Sequence, residues 1–358
     1  MAGEFEKLCT RFEQLDQGRS IPLIGDGSPS AGLIGAGAWI GLNSSGTTGF
    51  PHPVWLSWGA FKGSIKVSSS RKGWVWATGF LPGSYAGAQV AAQAWLEGGK
   101  VLFLNTVGRE TWNVLEQESV AALSATPTFV DLLLASKGPE DRWCPRTLIL
   151  GGEVLRPQVG ERLRGRFPGT RIHLVYASSE LGVILRTRRL DGLFELTGLD
   201  ARFQGWRLTE NGPTTGGRIG HLELLLHDEW RSTGDVAESV FEPSGHACLR
   251  LVGRYDAVAN VGGKKVNLGA VTSVAESVPG VVRAVAWSEP NAVVGEIVGL
   301  RVELKPGLDW AEVKSSVEQR FWENFPKPGW PRVWEVGAIG LGANGKREER
   351  HKQWKRGE

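Results

Sequence analysis

The sequence predicts an α/β protein in which a mostly parallel sheet is flanked by helices. Between residues 101 and 178, short apolar segments alternate with amphipathic segments of helix length, in the order VLFLN, TPTFVDLLLAS, TLILGG, RPQVGERLRGRF and RIHLVYAS. This alternation favours parallel strands joined by helical crossovers. Because such sheets bind ligands beyond the carboxyl ends of their strands, we expect functional residues at 151–153 and 177–180.

The segments on either side extend this prediction. Residues 1–20 carry apolar and charged side chains at helical spacing, and short glycine-rich strand patterns from 192 to 252 predict an antiparallel, barrel-like part. Beyond residue 253, the strand patterns VVRAVAWSE and EIVGLRVEL and the helix pattern DWAEVKSSVEQRFWENF predict a compact α+β module. We therefore predict a large domain at 1–253 and a small, mobile C-terminal lid domain at 254–358.

Composition narrows the class of protein. The 358 residues are 41% hydrophobic and 22% charged, and a net charge of +3 gives no reason to expect nucleic acid or a membrane as a partner. Cys9, Cys144 and Cys248 lack metal-ligand spacing, and three thiols cannot all pair, which favours a reducing compartment. The N-terminus lacks a signal-peptide core, and no segment reaches roughly 18 consecutive apolar residues. We predict a cytoplasmic protein and leave open whether it forms a homo-oligomer.

Residues 43–54, NSSGTTGFPHPV, form the most distinctive motif. Its short side chains allow backbone N–H groups to face an anion, and the hydroxyl groups of Ser45, Thr47 and Thr48 add donors to the same oxygens. The apolar run that starts at Val54 can anchor this loop. A Ser/Thr/Gly cluster is also typical of an ordinary exposed loop, so the motif alone does not decide between the two.

Five charged residues are further candidates. Glu180 follows a predicted parallel strand, where its carboxylate suits a cation that bridges phosphates or, equally, the start of a helix. Asp235 follows a glycine turn and is either an acceptor for ribose hydroxyl groups or an ordinary turn residue. Arg254 and Asp256 lie at the predicted domain boundary, where they suit a hinge or a surface ion pair. Lys346 either reaches a negative centre or belongs to a solvated basic tail.

In order along the chain, these segments resemble the signatures of the adenylate-forming superfamily, which comprises acyl-CoA synthetases, nonribosomal adenylation domains and luciferases. NSSGTTGFPHPV resembles TSGTTGxPKGV, TLILGGE the strand with its GGE turn, YASSE the YGxTE motif and RSTGD the TGD motif. GRYDAVANVGGKKV resembles GRxDDxIKxxGxRI, and GANGKREER resembles the terminal xxxGKxxR. Because six matches in the same order are more specific than any one, we identify the chain as a member of this superfamily.

The resemblance implies an enzyme that uses ATP, Mg²⁺ and CoA to convert a small carboxylic acid into a thioester through an acyl adenylate. It also implies a role for each matching position. The ATP phosphates would be held by Ser45, Gly46, Thr47, Thr48 and Gly49. The adenine and acyl pocket would be lined by Gly151, Gly152, Tyr176 and Ala177. Ser179 would lie near the phosphate, and Glu180 would bind Mg²⁺. Asp235 and Arg254 would bind ribose. Asp256 would be the hinge, Gly263 would lie on the loop that approaches CoA, and Lys346 would be the catalytic cation.

Two departures refine the resemblance. His52 and Pro53 stand where the superfamily usually has lysine and glycine, and a histidine with an unperturbed pKa near 6.5 makes phosphate binding weaker or more dependent on pH. The phosphate loop also begins near the N-terminus, which resembles the compact o-succinylbenzoate CoA ligases of menaquinone biosynthesis. The segment at 81–98, LPGSYAGAQVAAQAWLEG, resembles a region of those ligases that borders the acyl site.

Two alternatives remain open at this point. The chain could load an aryl or amino acid onto a carrier-protein thiol, or it could be an inactive regulator that binds nucleotide. No convincing acidic residue for an amino-acid ammonium group is found, which favours CoA as the acceptor. A second carboxylate on the substrate would need a basic partner, and Arg156, Arg171 and Arg186 are all available for it.

Overall fold

The computed structural model describes residues 2–23, 37–43, 53–138, 140–178, 180–209, 213–214, 217–255 and 257–342. The described residues form two compact units, one running up to Ala201 and the other from Arg202 to Gly342. Within the described residues, no helix is both long and apolar enough to cross a membrane.

The first unit contains six α-helices and ten strands among its described residues. Its helices are α1 (Ala2–Asp16), α2 (Trp58–Gly63), α3 (Tyr85–Leu96), α4 (Arg109–Gln117), α5 (Pro127–Ala135) and α6 (Pro157–Arg166). Its strands are β1 (Ile21–Pro22), β2 (Trp39–Asn43), β3 (Pro53–Ser57), β4 (Val75–Thr78), β5 (Lys100–Phe103), β6 (Ala122–Ala125), β7 (Thr147–Gly151), β8 (Arg171–Ser178), β9 (Gly182–Thr187) and β10 (Leu193–Glu195).

A mostly parallel sheet organises this unit, as the sequence predicts. Its strand order is β5-β4-β6-β7-β8-β9, and all neighbours pair in parallel except β8 and β9. Strand β6 passes directly into α5 because Thr126 caps the helix, its hydroxyl accepting a hydrogen bond from the Phe129 N–H, and Pro127 opens the first turn. The turns at the carboxyl ends of β6, β7 and β8 therefore lie along one edge of the sheet.

A smaller sheet precedes the main one. Strand β2 pairs in parallel with β1 and antiparallel with β3. Its apolar side chains Ile40 and Leu42 join a core with Phe12 and Leu15 of α1 and the buried alanines of α3. This core therefore packs against the strand that leads into the predicted phosphate loop.

The second unit has two sheets among its described residues. Its strands are β11 (Gly205–Thr209), β12 (Pro213–Thr214), β13 (Gly217–Leu226), β14 (Glu229–Phe241), β15 (Ala247–Arg254), β16 (Val258–Val261), β17 (Lys264–Asn267), β18 (Val281–Asn291), β19 (Gly295–Leu304) and β20 (Val333–Val336). Its helices are α7 (Leu268–Glu276) and α8 (Trp310–Asn324).

The antiparallel part and the α+β module that the sequence predicts are both present in this unit. Strands β15, β14, β13 and β11 are neighbours in an antiparallel sheet, with β12 beside β13. The later strands form a sheet in the order β17-β16-β19-β18, with β20 beside β19, and this sheet shares an apolar core with α7 and α8. The predicted division between residues 253 and 254 falls inside β15, one residue before that strand ends, and it stays a prediction. Which part moves stays a prediction.

Candidate functional site

The carboxyl edge of the parallel sheet brings together most of the predicted pocket residues that the structure describes. Gly151 ends β7 and Gly152 follows it, whereas Tyr176 and Ala177 lie near the end of strand β8, before Glu180. Gly151 pairs with Val175 across the two strands, so the turn after β7 lies beside the end of β8. Neighbouring strands lie roughly 4.8 Å apart, which places these positions within reach of one small ligand.

Backbone geometry explains why glycine occupies this turn. A Cβ atom on Gly151 would lie 2.9 Å from the Val175 carbonyl oxygen, closer than a side chain tolerates. Gly152 has a φ of 80°, a left-handed conformation that favours glycine. The next residue, Glu153, accepts a hydrogen bond of 3.1 Å from the Thr128 N–H at the start of α5. The sequence places Glu153 in the expected segment 151–153 but does not reveal this contact, which ties the β7 turn to α5.

The two faces of β8 differ in exposure. Tyr176 is 7% exposed and packs its ring 6.3 Å from that of Phe194. Val175 and Ala177 are partly exposed, as are Gly151 and Ile149 on β7. The face that carries Gly151, Val175 and Ala177 is therefore the accessible one, whereas the Tyr176 side chain is buried. Its contact with a nucleotide stays a prediction.

Glu180 is exposed at the end of this edge. One exposed carboxylate fits a magnesium ion that takes its other ligands from phosphate and water. The described residues contain no cluster of three or more His, Cys, Asp or Glu side chains that could hold a metal ion. Magnesium binding by Glu180 stays a prediction.

The predicted phosphate loop is anchored at both ends, although its central residues are not described. Asn43 at the end of β2 is the pairing partner of Pro53 at the start of β3. The Asn43 N–H also donates to the Gly83 carbonyl oxygen at 2.8 Å. The segment between Asn43 and Pro53 therefore starts and ends at adjacent positions.

Several predicted site residues lie outside the described part of the chain, and their roles stay predictions. They are Ser45, Gly46, Thr47, Thr48, Gly49, His52, Ser179, Asp256 and Lys346.

The second unit brings Asp235 and Arg254 together. They are pairing partners on β14 and β15, and the Arg254 Nη1 lies 3.5 Å from the Asp235 Oδ1. Gly234 makes room for this pair, because a Cβ atom there would lie 2.9 Å from the Arg254 Nη2. Gly263 lies apart from them in the turn between β16 and β17, with a φ of 81°. The pair presents an acceptor and a donor side by side, as hydroxyl recognition requires.

The structure separates the three arginines that were candidates for a second carboxylate. Arg156 precedes α6 and forms a 2.9 Å ion pair with Asp131, whose side chain is 1% exposed. Arg171 begins β8 at the opposite end from the carboxyl edge. Arg186 on β9 is the pairing partner of Val175 and shares its accessible face. Its position depends on strand register, which the sequence does not reveal.

His173 lies on the same face of β8 as Val175, two residues further from the carboxyl edge of the sheet. Burial lowers the pKa of its imidazole, and the positive charges of Arg188, Arg186, Arg171 and Arg71 lower it further. Both effects favour the neutral form of the imidazole.

A mostly parallel sheet with a glycine turn at its carboxyl edge makes the first unit an α/β protein of the class that binds ligands beyond its strand ends. The family model described as "AMP-binding enzyme" matches residues 42–236. Since this is more than half of the chain, the chain belongs to the AMP-binding enzyme family, and the resemblance noted in the sequence is confirmed at that level.

Individual relatives agree with this assignment. The chain is 30% identical over 124 residues to 4-hydroxybutyrate–CoA ligase 2 of Metallosphaera sedula, covering 35% of this chain and 22% of the relative. It is 25% identical over 264 residues to 2-hydroxy-7-methoxy-5-methyl-1-naphthoate–CoA ligase of Streptomyces carzinostaticus, covering 65% of this chain and 46% of the relative. The chain thus spans less than half the length of these two relatives.

Solved structures agree with the fold. An o-succinylbenzoate CoA synthetase from Bacillus subtilis, in complex with its acyl-adenylate intermediate, superimposes with a TM-score of 0.61 at 17% identity. The superposition covers 88% of this chain and 69% of that one. At this identity the likeness confirms the fold and not the substrate.

Proposed function

We propose that the protein is an ATP-dependent acid–thiol ligase that adenylates a carboxylic acid and transfers the acyl group to CoA in the cytoplasm. What supports this most is the carboxyl edge of the parallel sheet, where glycine turns and the exposed Glu180 meet within the segment that the family model matches. Making an acyl adenylate needs positioning and charge neutralisation more than a base. In the proposal, the turns at this edge position the nucleotide, while magnesium and Lys346 neutralise charge.

In the first half-reaction, a carboxylate oxygen of the substrate forms a bond to the α-phosphorus of ATP while the bond to pyrophosphate breaks. Loop donors at 45–49 would bind the phosphates, Asp235 and Arg254 would bind ribose, and Lys346 would bridge the carboxylate and the α-phosphate. Glu180 would hold magnesium, which when bound neutralises charge on the phosphate oxygens. Ser179 would contribute its hydroxyl group to the same phosphates.

In the second half-reaction, the deprotonated CoA sulfur attacks the acyl carbonyl carbon, and AMP leaves with the electrons of the broken C–O bond. Rotation of the small domain about Asp256 would remove Lys346 and bring Gly263 towards the thiol. One active site would then perform both reactions.

The proposed substrate is o-succinylbenzoate, and the pathway is menaquinone biosynthesis. The support comes from the sequence motifs shared with compact o-succinylbenzoate CoA ligases, and from relatives whose names state aromatic acids and CoA. o-Succinylbenzoate carries a ring carboxylate in addition to the carboxylate that reacts.

The test is ATP–pyrophosphate exchange with a panel of carboxylic acids, followed by detection of the CoA thioester. The proposal predicts exchange and thioester with o-succinylbenzoate. Exchange without transfer to CoA would instead support loading of a carrier protein. Nucleotide binding without exchange for any acid would contradict the ligase function and support the inactive regulator.

Lys346→Ala should separate the two half-reactions. We expect exchange to fall by at least about 100-fold, because a cation that stabilises charge in the transition state is lost. Thioester formation from supplied acyl adenylate should stay close to that of the unaltered protein. Lys352→Ala, in the same basic tail, is the matched control and should leave both halves unchanged. Equal loss of both halves in Lys346→Ala would contradict the domain rotation.

A further inference from the structure

The accessible face of the sheet carries a group of basic side chains beside the predicted acyl pocket. Gly151, Val175 and Arg186 lie side by side on β7, β8 and β9, because Val175 pairs with Gly151 on one side and with Arg186 on the other. At roughly 4.8 Å per strand, the Cα of Arg186 lies about 10 Å from that of Gly151. His173 is two residues before Val175 on the same face. We call His173, Arg186 and Arg188 the basic row.

Small side chains leave this face open next to Arg186. Ala177 and Gly151 carry little or no side chain, and Val175 is partly exposed. The opposite face of the same strands is packed, since each of its side chains is at most 7% exposed: Leu148, Leu150, Ile172, Leu174 and Tyr176. On β7 and β8, the face of the basic row is therefore the more exposed of the two, whereas on β9 the partner of Ala177, Val183, is 2% exposed.

The charge of Arg186 is not neutralised within the part of the chain that the structure describes. No aspartate or glutamate there forms an ion pair with Arg186, although other arginines of the same unit do so. Its charge also acts on His173, together with that of Arg188. A half-buried guanidinium without a counter-charge is costly, so such a position gains when an anion binds.

We propose that Arg186 recognises a second anionic group on the acid substrate, so that the site prefers dicarboxylic acids over the matching monocarboxylic acids. This inference rests on the proposed function, because it places the reacting carboxylate at the carboxyl edge. Ala177 lies near the carboxyl edge, and the paired residues Val175 and Arg186 lie two residues further back along the strands. The distance between these two positions is roughly 7 Å along the strand. The second carboxylate is then separated from the first by a spacer of a few carbon atoms, as in o-succinylbenzoate.

The experiment compares acids that differ only in the second carboxylate. The pairs are o-succinylbenzoate with 3-benzoylpropionate, and hexanedioate with hexanoate. The ratio of kcat/KM for the dicarboxylic to the monocarboxylic acid is measured by ATP–pyrophosphate exchange. In Arg186→Gln this ratio should fall by about 10- to 100-fold, since a hydrogen bond to a charged group is lost. Arg186→Lys should retain most of the preference.

A charge reversal and a matched control sharpen the test. Arg186→Glu should lower the ratio further and improve the use of 6-aminohexanoate relative to hexanoate. Arg171→Gln removes the same charge at the far end of β8 and should leave the ratio unchanged. An unchanged ratio in Arg186→Gln would overturn the inference. A rise in the KM for ATP or CoA that is equal for both acids of a pair would also overturn it, because Arg186 would then contact a phosphate.

Calorimetric titration with o-succinylbenzoate distinguishes failure of this inference from failure of the proposed function. Binding that depends on Arg186, in a protein that shows no exchange with any acid, would support the anion site and contradict the ligase. Exchange whose acid preference does not depend on Arg186 would leave the ligase and contradict the anion site.

Discussion

Arg156 and Arg186 lie in the same unit and serve different purposes. Arg156 is buried against Asp131, and Arg162 binds the second oxygen of the same carboxylate. Arg186 is half-buried on an open face, without a carboxylate partner among the described residues. The first arginine joins α5 to the start of α6, whereas the second is free to bind a ligand. The contacts that an arginine makes in the structure therefore tell more about its role than its presence in the sequence does.

The largest expected effect comes from breaking the buried pair. Arg156→Gln removes the buried partner of Asp131 and leaves Arg162 on its other oxygen. The loss of unfolding free energy should therefore approach, without reaching, the roughly 3–5 kcal/mol of a buried charge left uncompensated. Arg186→Gln makes the same chemical change without breaking an ion pair and should stay within about 0.5 kcal/mol of the unaltered protein. Urea denaturation followed by tryptophan fluorescence measures both. Equal destabilisation by the two variants would remove the distinction between them.

An intermediate effect is expected at the turn that forms the edge of the open face. Gly151→Val places side-chain atoms against the Val175 carbonyl oxygen and should cost about 1–3 kcal/mol, with a loss of exchange activity for every acid. Gly165→Ala is the matched control, because nothing lies within 4 Å of a Cβ atom at this exposed position in α6. It should gain about 0.5–1 kcal/mol, since alanine favours a helix over glycine. Retained activity in Gly151→Val would show that the turn does not need this close approach.

The smallest effect concerns the protonation of His173. Its pKa is lowered by burial and by the charges of Arg188, Arg186, Arg171 and Arg71, whereas the unfolded chain binds a proton with a pKa near 6.5. Below that pH the unfolded state binds more protons, so stability falls as the pH drops from neutral towards the folded pKa. His173→Gln should flatten this dependence in denaturation curves between pH 7 and pH 5. An unchanged slope would show that His173 does not sense the basic row.

Much of the fold could be predicted because local pattern determines it. The segment RIHLVYAS begins and ends at the same residues as β8, and the helix pattern TPTFVDLLLAS contains α5 with its cap Thr126. The glycine turn after β7 lies where the motif TLILGGE indicates it. In each case, the decisive residues are close together in the chain or belong to a shared motif.

The roles of the arginines could not be predicted, because they depend on contacts between distant segments. Asp131 and Arg156 are 25 residues apart, and no periodicity links them. The position of Arg186 depends on the antiparallel register of β8 and β9, which shifts by a bulge between Tyr176 and Ala177. A shift of one residue would turn Arg186 to the packed face. Only the folded chain distinguishes the arginine of an ion pair from one that faces a ligand.

The most direct test measures Arg156→Gln and Arg186→Gln side by side in two assays, unfolding free energy and the preference for o-succinylbenzoate over 3-benzoylpropionate. The account predicts opposite outcomes. Arg156→Gln should lose stability and, where it remains folded, keep its acid preference, whereas Arg186→Gln should keep its stability and lose the preference by at least about tenfold. Loss of stability in Arg186→Gln with an unchanged preference would contradict the account.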